Sequence, residues 1–136
     1  MKRDFLNPVL GAVTISRTAA VLLGGCGDGD QARTKEAAVV LGDYYYRSWK
    51  RPSPDWDVRK VRADKDDTVT IEARIVTKTL TKAIMERSKA EQMKIARLAC
   101  PAYTDDIWAQ IDKGQAVGIV LSGSAGHIIN ALCKRP

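Results

Sequence analysis

Hydrophobic residues in the first half of the chain recur at helical spacing before a proline-containing loop. The apolar positions are separated by three or four residues: Ala37, Val40, Leu41 and Tyr44. This spacing is typical of a helix with one apolar face, and we expect the helix to begin at Thr34. It should end before Arg51-Pro52, because proline cannot continue the hydrogen-bond ladder and disfavours helix in the residue before it.

The segment after this loop alternates apolar and polar residues, which predicts two strands. In the second strand the apolar positions are separated by single polar residues: Val69, Ile71, Ala73 and Ile75. A period of two with one polar side is typical of a sheet with one face in water. In the first strand the alternation changes phase near Arg59-Lys60, which predicts a bulge, and residues 64–67 form the turn between the strands.

The second half of the chain predicts two helices and two strands. One helix should run from about Leu80 to Ala99, before Pro101, and a short one from Thr104 to Gly114. The apolar runs 116–121 and 127–133 are joined by a turn at 122–126. Because these runs are apolar on both faces, we expect them at the centre of the sheet.

Together these elements predict an α+β fold in the order α-β-β-α-α-β-β. We expect a four-stranded antiparallel sheet with about three helices packed on one face. Residues 34–136 would form this single α+β domain.

Residues 1–25 have the layout of a secretory signal peptide. The segment begins with Lys2 and Arg3, continues with an apolar stretch rich in small residues, and ends in glycines. The alternative is a buried helix over residues 5–23, but its polar residues fall on all sides. The glycine- and aspartate-rich residues 26–33 predict a flexible tether.

The motif Leu23-Gly24-Gly25-Cys26 resembles the lipobox of bacterial lipoproteins. The resemblance implies that Cys26 becomes the first residue of the mature chain and carries the lipid. It also implies a domain anchored to a membrane of the cell envelope and facing the periplasm. Gly27, rather than aspartate, follows the cysteine, and by the same resemblance this favours the outer membrane.

The chain contains three cysteines, an odd number for an exported protein. If Cys26 is lipidated, Cys100 and Cys133 remain as a pair that an oxidising compartment would allow to form a disulfide. The alternative is a pair of buried, reduced cysteines.

Composition excludes some classes of protein. The chain is 45% apolar and 28% charged, as in ordinary globular domains, and no stretch reaches the roughly 18 apolar residues of a membrane-spanning helix. The net charge is +6, but acidic residues lie among the basic ones. Nucleic acid is therefore not the favoured partner, and the basic runs 47–51 and 59–62 are interpreted as a solvated rim.

No set of residues indicates catalysis or metal binding. His127 is the only histidine; it lies beside Ser122 and Ser124, but the sequence places no third group to orient it. The acidic runs 64–67 and 27–30 lack the distal glutamate of a common calcium loop, and no CxxC motif is present. We expect no enzyme activity, no metal and no cofactor.

Three hypotheses for the function remain open at this point. The first is a non-catalytic, membrane-anchored envelope lipoprotein with a structural or protein-interaction role, whose partners are the membrane and another envelope protein. The second is a periplasmic small-ligand-binding or inhibitor domain, with a pocket between the sheet and the helix over residues 80–99. The third is a cytosolic basic protein that binds nucleic acid.

Overall fold

A computed structural model of the protein describes residues 25–136, with the side chains from residue 29 onward. The elements follow the predicted order, and the α+β class is confirmed. The helices are α1 (Gly25–Arg47), α2 (Lys78–Met85) and α3 (Lys89–Ala96), and the strands are β1 (Trp56–Ala63), β2 (Thr68–Ile75), β3 (Ala116–Gly123) and β4 (Gly126–Leu132). The predicted signal peptide, residues 1–25, lies outside the described residues except for its last residue.

The four strands form one sheet in the order β1-β2-β3-β4. β1 with β2 and β3 with β4 are antiparallel, whereas β2 and β3 are parallel, with Thr68 opposite Ala116. The prediction of an antiparallel sheet is therefore wrong at this central pair. The two helices between β2 and β3 return the chain to the level where β2 began, and such a crossover makes neighbouring strands parallel. A register shift between Val58 and Lys60 confirms the predicted bulge.

The two apolar runs of the second half differ in their place in the sheet. β3 is central, as expected, but β4 is an edge strand. The expectation that both lie at the centre is wrong for β4, whose Ile128 and Ala131 are buried while Asn130 and Leu132 are exposed.

The core lies on one face of the sheet, under the helices. Alternate residues of β2 and β3 are buried there: Val69, Ile71, Ala73, Ile75, Val117, Ile119 and Leu121. α1 packs mainly on β1, and α3 mainly on β4. The other face carries polar residues such as Glu72 and Arg74, which confirms the predicted alternation. Each fully buried large aliphatic side chain contributes roughly 1.5–3 kcal/mol to folding.

α1 begins earlier than the apolar pattern predicts. Residues 26–33, where the composition predicts a flexible tether, form its first turns. Thr34 is fully buried, and its Oγ1 donates to the carbonyl of Asp30 at 2.9 Å. Gln115 Nε2 also donates to Thr34 Oγ1, at 3.3 Å. Extending a helix that is already formed avoids the cost of nucleation, so residues 26–33 can be helical without an apolar face.

The helix predicted over residues 80–99 is divided into α2 and α3. Ser88 starts α3 with a capping box: its hydroxyl accepts the Glu91 N–H at 3.3 Å, and the Glu91 carboxylate accepts the Ser88 N–H at 3.0 Å. The buried amide of Gln92 donates to three carbonyls at the end of α2, at Ile84, Met85 and Arg87, each at 3.2 Å. These contacts fix the angle between the two helices.

The short helix predicted between Thr104 and Gly114 is a 3₁₀ turn, Asp106–Gln110. Trp108 anchors it: the indole is buried, and its Nε1 donates to the carbonyl of Ala102 at 2.9 Å. The guanidinium of Arg135 lies 5.5 Å from the centre of the indole and donates to the carbonyl of Ile111 at 3.2 Å. The turn and the end of the chain therefore hold each other in place.

Candidate functional site

The structure brings two of the three cysteines together. A further 3₁₀ turn, Arg97–Ala99, continues from α3. Cys100 follows this turn, and Cys133 follows β4. Their Sγ atoms lie at disulfide distance, 2.06 Å apart, with 5.7 Å between the Cα atoms. Cys26, the residue predicted to carry lipid, lies in the first turn of α1, and its side chain is outside the described part of the chain.

The histidine and serines near the last hairpin do not form a catalytic pair. His127 Nε2 lies 2.7 Å from Oδ1 of Asn130 on the same strand, and its side chain is exposed. The hydroxyl of Ser122 donates instead to the carbonyl of Ala73, at 3.4 Å. The Ser124 N–H donates to the Thr81 hydroxyl, also at 3.4 Å. The described hydrogen bonds thus contain no serine activated by a histidine.

The acidic turn over residues 64–67 has a structural role. The hydroxyl of Thr70 donates to Asp64, and Arg62 Nε donates to the same carboxylate at 3.0 Å. The Thr70 hydrogen bond, followed by the Arg62 contacts, lowers the pKa of Asp64. Among the described residues, no three histidine, cysteine, aspartate or glutamate side chains converge where they could hold a metal ion.

The first candidate binding surface is a groove between the end of α1 and β1, the α1–β1 groove. Its volume is about 460 Å³. It is lined by Gly42, Tyr45, Tyr46, Trp49, Arg51 and residues 57–61. It is open along one side, so an elongated ligand could lie in it.

Aromatic side chains form the helix side of this groove. The buried hydroxyl of Tyr45 donates to the carbonyl of Ala99 at 2.5 Å, and the ring centres of Tyr45 and Trp49 are 5.3 Å apart. This arrangement holds the Trp49 ring beside the groove. Tyr46, by contrast, is 89% exposed and contributes nothing to the core. Burial raises the pKa of Tyr45 well above its ordinary value.

Another face of α1 borders an acidic groove of about 610 Å³. Its carboxylates are Asp43, Asp105 and Asp106, and Val39, 73% exposed, lies beside them. The hydroxyl of Tyr44 donates to Oδ2 of Asp105 at 2.5 Å, which attaches α1 to the 3₁₀ turn. Burial, followed by this hydrogen bond, raises the pKa of Tyr44.

A third groove, the open-face trough, lies across β2, β3 and β4 beside α3, with a volume of about 410 Å³. Its lining includes Met93, Arg97, Gly118, Val120 and Leu132. Leu132 is 60% exposed, and Arg97 Nε donates to the Leu132 carbonyl at 3.1 Å. The trough therefore combines an apolar floor with one guanidinium; of residues 80–99, only Met93 and Arg97 line it.

Sequence reasoning missed the α1–β1 groove. The basic runs 47–51 and 59–62 lie on either side of the proline-containing loop, and the sequence predicted only a solvated rim for them. The structure brings Arg51, Arg59 and Lys60 to one groove beside Tyr46 and Trp49. The available signal was the interleaving of aromatic and basic residues over 45–51, but the partner strand could not be identified from it.

Comparisons with known proteins identify no relative. No protein family, no curated protein and no solved structure matches this chain. Among the described helices, none has the length and apolar character needed to cross a membrane.

Proposed function

We propose that this chain is a non-catalytic lipoprotein of the bacterial cell envelope, anchored through lipid on Cys26 and facing the periplasm. Its role is structural or that of a protein-interaction module, and the outer membrane is the favoured location. The observation that carries this proposal is that the fold brings Cys100 and Cys133 together, with 5.7 Å between their Cα atoms. Disulfides persist in oxidising compartments outside the cytosol, so this pair supports export independently of the N-terminal motif.

The start of α1 suits an anchored domain. Thr34, the first fully buried side chain in the described part of α1, lies eight positions after Cys26. At about 1.5 Å of rise per residue, these turns would hold the core about 12 Å from the lipidated cysteine. Arg33 and Lys35 are exposed near this end, where they could approach anionic headgroups.

The arrangement of polar groups supports a binding role rather than catalysis. The single imidazole is engaged with Asn130, and the hydroxyl of Ser122 donates to a backbone carbonyl. The three grooves described above are open surfaces with exposed side chains at their rims, such as Tyr46, Val39 and Leu132. Exposed apolar side chains grouped beside charged ones are typical of protein-interaction surfaces.

The proposal is tested by palmitate labelling and by the intact mass of the native protein. We expect a chain that begins at Cys26, carries three acyl groups, and lacks two hydrogens because Cys100 and Cys133 are bonded. Cys26→Ser should abolish labelling, whereas the matched control Cys100→Ser/Cys133→Ser should retain it. An unmodified chain of 136 residues with three titratable thiols would contradict the proposal.

A second candidate function, a small-ligand binder, is favoured by the open-face trough. Its apolar floor and the Arg97 guanidinium match a ligand with a hydrocarbon body and an anionic head. A thermal-shift comparison of dodecanoate with dodecanol tests it, since only the carboxylate can pair with Arg97. Equal or absent shifts for the two compounds would exclude this candidate.

A further inference from the structure

Within residues 25–136, one edge of β1 has no hydrogen-bonded strand beside it. β2 is its only neighbour in the described sheet. The Asp64 N–H donates to the Thr68 carbonyl at 2.8 Å, so alternate residues from this point, including Arg62, direct their backbone groups toward β2. Val61 and Ala63 therefore present their N–H and C=O groups to the outer edge. Such an edge is a template for another extended segment.

The α1–β1 groove reaches this edge at Val61. The end of α1 and the residues just after it supply one wall through Tyr46 and Trp49, and β1 supplies the other through Val58 and Val61. At Gly42 no heavy atom lies within 4 Å of the place that a Cβ would occupy, so this part of the helix leaves room. A strand beside β1 would direct alternate side chains toward these aromatic and aliphatic walls.

The groove is positively charged. Arg51, Arg59 and Lys60 line it, against one carboxylate, Asp57. Arg51 lies 3.9 Å from Asp57, whereas Arg59 and Lys60 form no ion pair within the described part of the chain. Both of these side chains are exposed, and their charges therefore favour an anionic partner.

We propose that the α1–β1 groove binds an acidic, extended segment of a partner protein, which adds as a fifth strand beside β1. Backbone pairing at Val61 and Ala63 provides the alignment, and carboxylates of the segment meet Arg59 and Lys60. Apolar residues of the segment pack on Tyr46 and Trp49. The partner in the interaction role proposed above is then an acidic, extended segment that binds by β-strand addition. This proposal rests on that interaction role.

The test uses the full chain, with its lipid, in detergent micelles. The probe is a pool of eight-residue peptides, the length of β1, randomised over Glu, Asp, Val, Thr, Ala and Lys. We expect enrichment of peptides in which acidic and apolar residues alternate. Binding of an enriched peptide should slow hydrogen exchange at the Val61 and Ala63 amides, because both become paired.

Charge reversal separates the groove from general electrostatics. Arg59→Glu/Lys60→Glu should lower the affinity for the enriched peptide about tenfold or more. Lys113→Glu/Lys134→Glu is the matched control, since it makes the same change in charge at exposed positions away from the groove, and it should leave affinity within about twofold. Equal melting temperatures of the two variants would confirm that both are folded.

Three results would overturn the proposal. They are a pool without acidic enrichment, enriched peptides that leave the exchange of Val61 and Ala63 unchanged, and equal losses of affinity in both variants. Binding of phosphatidylglycerol vesicles without binding of any peptide would also overturn the proposal. The partner of the groove would then be a membrane surface. Palmitate labelling is measured separately, so failure of this proposal and failure of the lipoprotein proposal remain distinguishable.

Discussion

At the scale of single residues, Gly123 ends β3 directly against the side chain of Thr81. A Cβ at this position would lie 2.5 Å from Oγ1 of Thr81 and 3.0 Å from its Cβ. Thr81 cannot withdraw easily, because it is buried and its hydroxyl donates to the Thr77 carbonyl at 2.8 Å. The absence of a side chain at Gly123 therefore allows α2 to pack on the end of β3.

We predict that Gly123→Ala lowers the free energy of unfolding by about 1–3 kcal/mol, the usual effect of overpacking. Urea denaturation would measure it. Gly114→Ala is the control, because nothing lies within 4 Å of its Cβ position, and it should change stability by less than about 0.5 kcal/mol. Equal effects of the two substitutions would show that the Thr81 contact does not limit this site.

At the scale of elements, the capping box at Ser88 separates α2 from α3. The pattern Ser88-Lys89-Ala90-Glu91 is a recognisable start signal, but it lies inside a run of residues that favour helix. Propensity therefore predicted one helix, whereas local hydrogen bonds produced two. The angle between α2 and α3 is also held by Gln92, whose amide reaches back to α2.

We predict that Ser88→Ala lowers the free energy of unfolding by about 1 kcal/mol, because the Glu91 N–H loses its acceptor. Ser48→Ala at the exposed end of α1 is the control and should have a smaller effect. Chemical denaturation of both variants measures the difference. No difference between them would mean that the cap contributes no stability beyond that of an exposed serine.

At the scale of the whole molecule, the cysteine pair links the connection after α3 to the end of the edge strand. The two residues are 33 positions apart in sequence. Closing a loop of this length in the unfolded chain contributes about 4 kcal/mol in the chain-entropy model. We predict that Cys100→Ser/Cys133→Ser lowers the free energy of unfolding by this amount, measured by urea denaturation. A reducing agent should produce the same loss in the native protein and no change in the variant.

Tyr44 and Tyr45 connect α1 to the second half of the chain, and they should make the stability of the fold sensitive to alkaline pH. Their pKa values are raised in the folded protein, chiefly by burial, relative to about 10 in the unfolded chain. Below pH 10 both states hold the phenol protons, and the contribution to stability is fully present. Above pH 10 the unfolded chain loses these protons while the folded state retains them, so stability falls as pH rises.

We expect a slope for Tyr45 of up to about 1.4 kcal/mol per pH unit above pH 10, measured by urea denaturation at a series of pH values. Tyr45→Phe should reduce this slope, and it should also lower stability at neutral pH because the Ala99 carbonyl loses its donor. Tyr46→Phe is the control, since Tyr46 is 89% exposed. If Tyr45→Phe leaves the slope unchanged, Tyr45 does not contribute to the loss of stability above pH 10.

The order of the elements follows from local patterns. The alternation over residues 69–75 identified β2, and the phase change near Arg59 identified the bulge of β1. These predictions succeeded because the period of a pattern depends on the geometry of one segment. The start of α1 was not predictable in this way, because residues 26–33 carry no apolar stripe, and their helical conformation continues from the buried Thr34.

The sequence was sufficient to predict the α+β class and the bulge, because both depend on patterns within short segments. It was also sufficient for the hypothesis that Cys100 pairs with Cys133, which depends on the number of cysteines that remain if Cys26 is lipidated. The parallel alignment of β2 and β3, the edge position of β4 and the α1–β1 groove depended on long-range packing. The chain can enter β3 from either end after the helices, and the local hydrophobic pattern does not determine whether β2 and β3 become parallel or antiparallel. The groove, whose basic residues lie on either side of the end of one loop, exists only because α1 packs against the edge strand β1.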